Sequence, residues 1–294
     1  MKNIVCFGEV LWDVFPTHKK IGGAPLNVAL RLQSLDNNVS IITRIGADTK
    51  GTEIANFIKD HGVNTENIQI DDILETGAVD VILDKTGSAT YTINHNRAWD
   101  NLQVTDTALQ ATKQADAFIF GSLVARDHTS RTTLFNLLEV ANYKILDINL
   151  RAPHYTNAVL KELMTVADFI KFNDDEIFEI ADSMHFKSEH LEETIRFIAK
   201  QTGTASICVT KGSHGAVLYY NETFYHNKGY HVKVADTVGA GDSFLAAIIN
   251  KLLKKNSPQD ALDFACAMGA LVASSEGANP KIETETVHQF MEQS

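Results

Sequence analysis

Apolar residues along this chain fall into two alternating rhythms. Short runs at Ile4–Phe7, Val39–Thr43, Ala117–Phe120, Lys144–Ile148, Phe169–Lys171 and Ala205–Thr210 predict buried strands. Between them, apolar positions three or four residues apart predict helices over about Pro25–Leu32, Thr52–Lys59, Arg131–Asn142, Thr156–Val166, Asp174–Ala181 and Leu191–Gln201. Pro25 suits the first turn of a helix, and His61-Gly62 suits a helix end. Two more helices, at about Leu245–Lys254 and Pro258–Ser275, precede a loop at Glu276–Lys281. Strands and helices alternating in this way predict a parallel sheet covered by helices.

Two stretches break that rhythm. Ile68–Ile70, Val79–Leu83 and Ala89–Ile93 are alternating runs separated by Asp71-Asp72 and Lys85–Ser88, a hairpin pattern. Together with Val10–Phe15 they predict a small sheet apart from the main one, a lid spanning about residues 10–16 and 67–96. Ala216–Tyr220 with Phe224–His226 reads as a second hairpin. No internal repeat, low-complexity segment or linker divides the chain, so residues 1–294 read as one α/β body with a β lid.

Composition narrows the function classes. The 294 residues carry a net charge of −11 and no lysine-arginine stripe, which argues against a nucleic-acid partner. The start lacks the pattern of a signal peptide, and no apolar run is long enough to span a membrane, so a cytoplasmic protein without a membrane partner is expected. Cys6, Cys208 and Cys266 are odd in number and lie in apolar runs, as reduced core residues do. The eleven histidines form no HExxH and no cysteine-paired spacing, which speaks against a protein-built zinc site.

Candidate chemistry gathers where strands are expected to end, because open parallel sheets place their sites there. The leading stretch is Asp236–Phe244, in which Gly239-Ala240-Gly241 open an apolar helix and Asp242 falls in its first turn. Small residues leave backbone N–H groups bare at the positive end of a helix, an anion hole beside a carboxylate able to accept a hydroxyl proton. The same residues also serve as a tight turn with a helix-start acid, so the surroundings decide. Three further clusters follow predicted strands: Asp147 to Arg151 with Asn149, Asn173 with Glu176, and Thr210-Lys211-Gly212 to Gly215. Each alone is also a cap, turn or ion pair. The chain has no GxxxxGK followed by serine or threonine, and Gly239–Phe244 departs from GxGxxG at its last position, against a Walker-type nucleotide binder and a nicotinamide dehydrogenase.

On these residues the whole chain resembles the ribokinase-like (PfkB) carbohydrate kinase family. Asp236–Phe244 resembles its C-terminal signature DTxGAGDxF, Gly22–Ala29 its N-terminal signature, Asn173-Asp174-Asp175-Glu176 its NxxE motif, and Val209–Gly215 its nucleotide loop. The resemblance implies a three-layer α/β sandwich with a mainly parallel sheet and a β lid that often pairs two subunits, hence a possible homodimer. It implies ATP and magnesium, with Asp242 as base and Gly239, Ala240 and Gly241 as anion hole. Asp13, Gly22, Gly23, Asn27, Arg97, Asn149 and Arg151 would serve the sugar and the transfer path. Asn173, Thr210, Lys211, Gly212, Gly215 and Asn279 would serve the nucleotide, and Glu176 the magnesium, mostly through water. An acid at a helix start would have a lowered pKa. Gly121–Arg126, Asp147–Pro153 and Ala98-Trp99-Asp100 look closer to bacterial fructokinases than to nucleoside kinases. Phosphorylation of a primary hydroxyl of a small sugar, fructose first, is therefore expected. The alternatives are another sugar or sugar acid, such as ribose or 2-keto-3-deoxygluconate, and a catalytically silent sugar-binding protein.

Two details stay open in the sequence. Trp12 and Trp99 either stack on a sugar or pack the lid. Family members often hold a monovalent cation by loops matching Asp236–Val238 and Val272–Gly277. Here Lys281 either supplies that charge itself against Asp236 or points into solvent.

Overall fold

A computed structural model describes residues 1–83 and 89–293, so the turn expected at Lys85–Ser88 lies outside the described residues. The strands are β1 (Asn3–Phe7), β2 (Leu11–Val14), β3 (Lys19–Gly22), β4 (Asn38–Gly46), β5 (Ile68–Asp71), β6 (Gly77–Leu83), β7 (Ala89–Ile93), β8 (Ala117–Gly121), β9 (Lys144–Asp147), β10 (Phe169–Asn173), β11 (Ser206–Thr210), β12 (Ala216–Tyr220) and β13 (Thr223–Asn227). The helices are α1 (Ala24–Ser34), α2 (Thr49–Asp60), α3 (Asp106–Gln114), α4 (His128–Leu138), α5 (Asn157–Val166), α6 (Asp174–Ser183), α7 (Leu191–Thr202), α8 (Ala240–Leu253), α9 (Pro258–Ala273) and α10 (Thr284–Glu292).

Among the described residues, nine strands form one sheet in the order β13-β12-β11-β10-β9-β8-β1-β4-β5. Strands β4, β1, β8, β9, β10 and β11 run parallel to their neighbours, while β12 and β13 add an antiparallel edge. Apolar side chains of the central strands point alternately to two cores. One joins Cys6, Ile119 and Cys208 to α1, α8 and α9; the other joins Phe7, Phe118 and Phe172 to α4, α5, α6 and α7. The result is the helix–sheet–helix sandwich that the alternating rhythm predicts. All three cysteines are buried and free, as their apolar setting implies.

The second sheet has the order β3-β2-β6-β7. It contains Val10–Phe15 and the Val79 and Ala89 runs as expected, but not Ile68–Ile70. That run is β5, parallel to β4 at the edge of the large sheet. It is an edge strand whose apolar face is only partly covered, with Ile68 half-buried and Ile70 53% exposed. Arg44 Nε donates to Asp71 Oδ2 at 2.8 Å and pins the strand there. The lid also gains β3, whose Lys19-Lys20 start disguised it as loop. The small sheet thus draws on residues 11–14, 19–22, 77–83 and 89–93, where 10–16 and 67–96 were expected.

Several helices begin before their apolar stripe does. Helix α4 starts at His128 and ends at Leu138, not Arg131–Asn142, because its first turn (His128, Thr129, Ser130) is polar and carries no periodic signal. Helix α8 likewise starts at Ala240, five residues ahead of Leu245. Helices α3 and α10, short and mostly polar, are not among the helices expected from the sequence.

Close backbone approach fixes the loop after β11. Gly215 has φ +79°, and a Cβ there would lie 2.1 Å from the Asn227 carbonyl oxygen. Gly215→Ala is expected to cost about 1–3 kcal/mol. For a chain of this size the melting temperature should fall by several degrees, at about 2–4 °C per kcal/mol. An unchanged melting curve would show that the loop relaxes freely.

Candidate active site

The carboxyl ends of β1, β8, β9, β10 and β11 share one edge of the sheet, and helices α1 and α8 start above it. Helix α8 opens at Gly239, whose φ is +76° and whose Cβ would lie 2.6 Å from the Ala278 Cα. The turn before α8 is thus pressed against the turn at residues 277–279. Asp236 ties the two: its Oδ1 accepts from Val238 N–H at 3.0 Å and its Oδ2 from Gly277 N–H at 3.2 Å. No side chain caps α8. Ala240 N–H is engaged by the Thr237 carbonyl at 3.3 Å, so among the described residues the bare amides are those of Gly239, Gly241 and Asp242. Of the three amides expected to form an anion hole, those of Gly239 and Gly241 are bare and that of Ala240 is taken by the turn, while Asp242 adds another bare one.

Asp242 is held from across the chain. Asn27 Nδ2 donates to Asp242 Oδ2 at 2.8 Å, and Asn27 Oδ1 accepts from Asn279 Nδ2 at 2.8 Å. Asn27, expected at the sugar, and Asn279, expected at the nucleotide, are joined to one another and through Asn27 to Asp242, a relay that orients the carboxylate. Burial, then the charge of Asp147, pushes the Asp242 carboxyl up to about 6, against the pull of Asn27, Lys171 and Arg151. The lowered pKa expected at a helix start does not hold. Desolvation and a neighbouring carboxylate outweigh the partial charge of the helix terminus, an effect of about one unit at most.

The lid side of the site is crowded by design of the backbone. A Cβ on Gly22 would lie 2.6 Å from Asp13 Oδ2, and one on Gly23 (φ +114°) 2.5 Å from the Glu9 carbonyl oxygen. Burial holds Asp13 up at about 6 despite Lys20 and Arg151. Arg151 is exposed, bonds the Leu150 carbonyl through Nη1 at 2.9 Å, and lies in the field of Glu9, Asp13 and Asp242. Asn149 bends the chain there with φ 40°.

Two residues that sequence reasoning passed over belong here. Lys171, in the middle of β10, is buried and donates through Nζ to Asp147 Oδ1 at 2.8 Å. A Cβ on Gly241 would come within 3.6 Å of that ammonium, so Lys171 flanks the bare amides. Burial opposes its charge, but Asp147, Glu176 and Asp242 prevail and raise its pKa. Glu9 is 3% exposed, with Oε2 buried and unpartnered, and burial lifts its carboxyl to about 7. Lys171 lies within an apolar strand and Glu9 just after one, and the burial of both depends on neighbouring elements that one strand does not reveal.

Glu176 forms a capping box, accepting from Asn173 N–H and from Leu150 N–H at 2.8 Å each, while Asn173 Oδ1 accepts from Glu176 N–H at 2.8 Å. Its pKa is raised, first by burial. Asp147 Oδ2 is buried without a partner. Hard carboxylate oxygens with uncommitted lone pairs fit a magnesium ion. Thr210 to Gly215 stand on the same edge, next to Asn173 through the β10–β11 register.

Other expected residues go elsewhere. Arg97 pairs with Glu75 at the lid base, and its N–H donates to Asp100 Oδ2 at 2.8 Å. Lys281 is 91% exposed and faces Glu283 at 3.2 Å, so it does not supply a cation to Asp236; two turns joined by backbone contacts leave its side chain outside. Trp12 donates to the Lys50 carbonyl and Trp99 is fully buried under Arg126, so both pack the lid and its base.

Comparison with known proteins follows from this geometry. The family model for the pfkB family carbohydrate kinases matches residues 1–285. A curated relative, fructokinase-2 of Solanum lycopersicum, is 28% identical over 311 residues, covering 96% of this chain and 93% of that protein. The ATP-bound fructokinase of Xylella fastidiosa superposes with a TM-score of 0.88 at 20% identity, covering 100% of this chain and 99% of the other. A double mutant of the Vibrio cholerae fructokinase, bound to fructose, ADP and potassium, gives 0.84 at 23% identity over 99% and 98%. The fold is ribokinase-like.

Glu9 generates a prediction about stability. Its folded pKa of about 7 exceeds an unfolded value near 4.3, so its contribution is complete below the unfolded value and is lost as pH rises through 7. The native protein should lose up to about 3 kcal/mol between pH 5 and 8 through this group. Glu9→Gln should flatten that slope in chemical-denaturation curves. Parallel slopes for the two proteins would mean that Glu9 is paired or solvated.

Proposed function

The chain belongs to the pfkB family of carbohydrate kinases, and we propose that it transfers the γ-phosphoryl group of ATP to a primary hydroxyl of fructose. One observation carries this reading: Asp242, oriented by Asn27, stands in the first helical turn beside bare amides and the Lys171 ammonium. A base and a cationic hole on one edge is what phosphoryl transfer requires, since its barrier falls mainly by positioning and charge stabilisation. Fructose as acceptor is supported by the names of the relatives, and ATP by the bound states of the neighbouring structures.

In the proposed reaction the acceptor oxygen forms a bond to the γ-phosphorus as the bond to the β–γ bridging oxygen breaks, and ADP leaves. The hydroxyl proton passes to Asp242. Lys171 and the Gly239, Gly241 and Asp242 amides face the phosphoryl oxygens. Asp13, packed on Gly22, accepts from sugar hydroxyls, and Arg151 lies over the transfer path. Thr210, Lys211, Gly212 and Gly215 cradle the nucleotide. Glu176 and Asp147 would hold magnesium, which when bound offsets phosphate charge. The turns joined by Asp236 would hold a monovalent cation, as potassium accompanies the Vibrio relative. No described helix is long and apolar enough to cross a membrane, in keeping with a cytoplasmic enzyme.

The direct test is incubation with ATP and magnesium against a panel of fructose, ribose, glucose and 2-keto-3-deoxygluconate. Phosphorylation of fructose at the highest kcat/KM is expected, and preference for another sugar would overturn the assignment of substrate. Asp242→Asn should lower kcat by about 10²-fold or more with sugar affinity changed only a few-fold. In the native enzyme kcat should fall as pH drops below about 6, where Asp242 takes up its proton. Retention of near-native turnover by the Asn variant would remove Asp242 from the mechanism.

Asp13→Ala should raise the fructose KM about ten- to a hundredfold, the range for losing a charge-assisted hydrogen bond of about 1.5–3 kcal/mol. The ATP KM should stay within a few-fold. Equal effects on both substrates would place Asp13 outside the sugar site.

A further inference from the structure

Beside the base of the lid lies a cavity of about 290 Å³ that the transfer chemistry does not use, lined by His95, Arg126, Arg131, His154, Tyr155 and Thr156 among others. None of Asp242, Asn27, Lys171 or Asp13 reaches it. We propose that this cavity is a second anion site, which binds a small ligand through a phosphate group.

The charge arrangement selects the sign of the ligand. Arg126 is 3% exposed and gives Nε and Nη2 to Asp100 at 2.7 and 2.6 Å, and Nη2 also to the Asn94 carbonyl at 2.7 Å. Its Nη1 is buried without an acceptor. Asp127 Oδ2 takes His95 Nε2 at 2.6 Å. Both nearby carboxylates are thus engaged, while the side chain of Arg131 has no ion pair or hydrogen bond among the described residues, and neither has the His154 ring. The cavity also meets the start of α5, where Thr156 satisfies the Val159 N–H and leaves earlier amides free. Burial, then Arg126 and His95, lower the pKa of His154 against the opposing charge of Asp100.

A cation fits the same place poorly. Ligand atoms of His95, Asp100 and Asp127 lie within 4.8 Å of one another, but Asp100 is already filled by the bidentate Arg126 fork. A metal ion there would displace or face a buried guanidinium. The volume sits at the lower end for ligand pockets, which suits inorganic phosphate or a small phosphate monoester and excludes a nucleotide. Guanidinium and imidazole donors converging with helix amides are the usual means of holding such a group.

The test uses isothermal titration of inorganic phosphate into the full-length protein saturated with magnesium and a non-hydrolysable ATP analogue, so that the α8 hole is covered. One equivalent should bind, and Arg131→Ala should weaken it at least tenfold, with Arg131→Lys intermediate. Because the Arg131 side chain has no partner among the described residues, both variants should melt as the native protein does without phosphate. Glucose 6-phosphate titrated in the same way separates the sources: tighter binding than inorganic phosphate points to a phosphate ester, equal or weaker binding to free phosphate. Absence of binding by the native protein, or equal affinity in Arg131→Ala, would overturn the proposal.

Discussion

Everything at the carboxyl edge of the sheet depends on one buried cation. Lys171 donates to Asp147 on the neighbouring strand, and its charge acts on Glu176 and Asp242 from α6 and α8. One ammonium among three carboxylates leaves a negative excess. Burial first raises the pKa of Glu176 and of Asp242, the charge of Asp147 adds to both shifts, and Asp147 Oδ2 is unpartnered. A buried carboxylate without a partner is costly, so this arrangement is poised for further positive charge. Divalent metal and the cationic edge of a bound nucleotide complex are of the kind that would relieve it. The fold stores an electrostatic imbalance where its ligands are proposed to sit.

The second constraint is tertiary. Asn27 and Arg31, one turn apart on α1, reach the start of α8 more than two hundred residues later in the chain. Arg31 Nε donates to Ser243 Oγ at 3.1 Å and its Nη2 to the Pro280 carbonyl at 2.9 Å. Burial lowers its pKa only to about 10, so it remains a cation. The Pro280 contact steadies the turn that presses on Gly239, and Asn279 from that turn closes the relay through Asn27 to Asp242. The carboxylate is thus oriented by two segments, neither adjacent to it in sequence. Such bracing lets a side chain on a glycine-rich turn keep one geometry.

Much of this was legible because local signals agreed. The apolar runs of β1, β8 to β11 and the stripes of α5 to α7 named the sandwich, and Gly239 to Asp242 marked the helix start. What escaped was what depends on neighbours. Ile68-Gln69-Ile70 alternates as a lid strand would, and only pairing with β4 assigns it to the large sheet. Lys171 and Glu9 looked like strand ends, since burial of a charge cannot be read from one strand. Ala98-Trp99-Asp100 and Arg126, read as marks of substrate preference, interlock as a brace: Arg126 stacks 3.9 Å over Trp99 and grips Asp100. Lys281 was an ambiguous case that the exposure of its side chain decides.

The raised pKa of Asp242 bears on how such a site works. A helix start favours an ionised acid, and a strongly ionised carboxylate is a weak base. Withdrawal from water and then the charge of Asp147 push the other way, and the balance leaves the group at about 6. At neutral pH the carboxylate is then mostly ionised yet more basic than a free one. The hydrogen bond from Asn27 prevents a larger rise, which would leave it protonated. Lys171 acts in the same direction while also facing the bare amides, so one residue both moderates the base and completes the hole. Tuning and charge stabilisation are therefore not separable here, because the same few ångströms of buried charge set both.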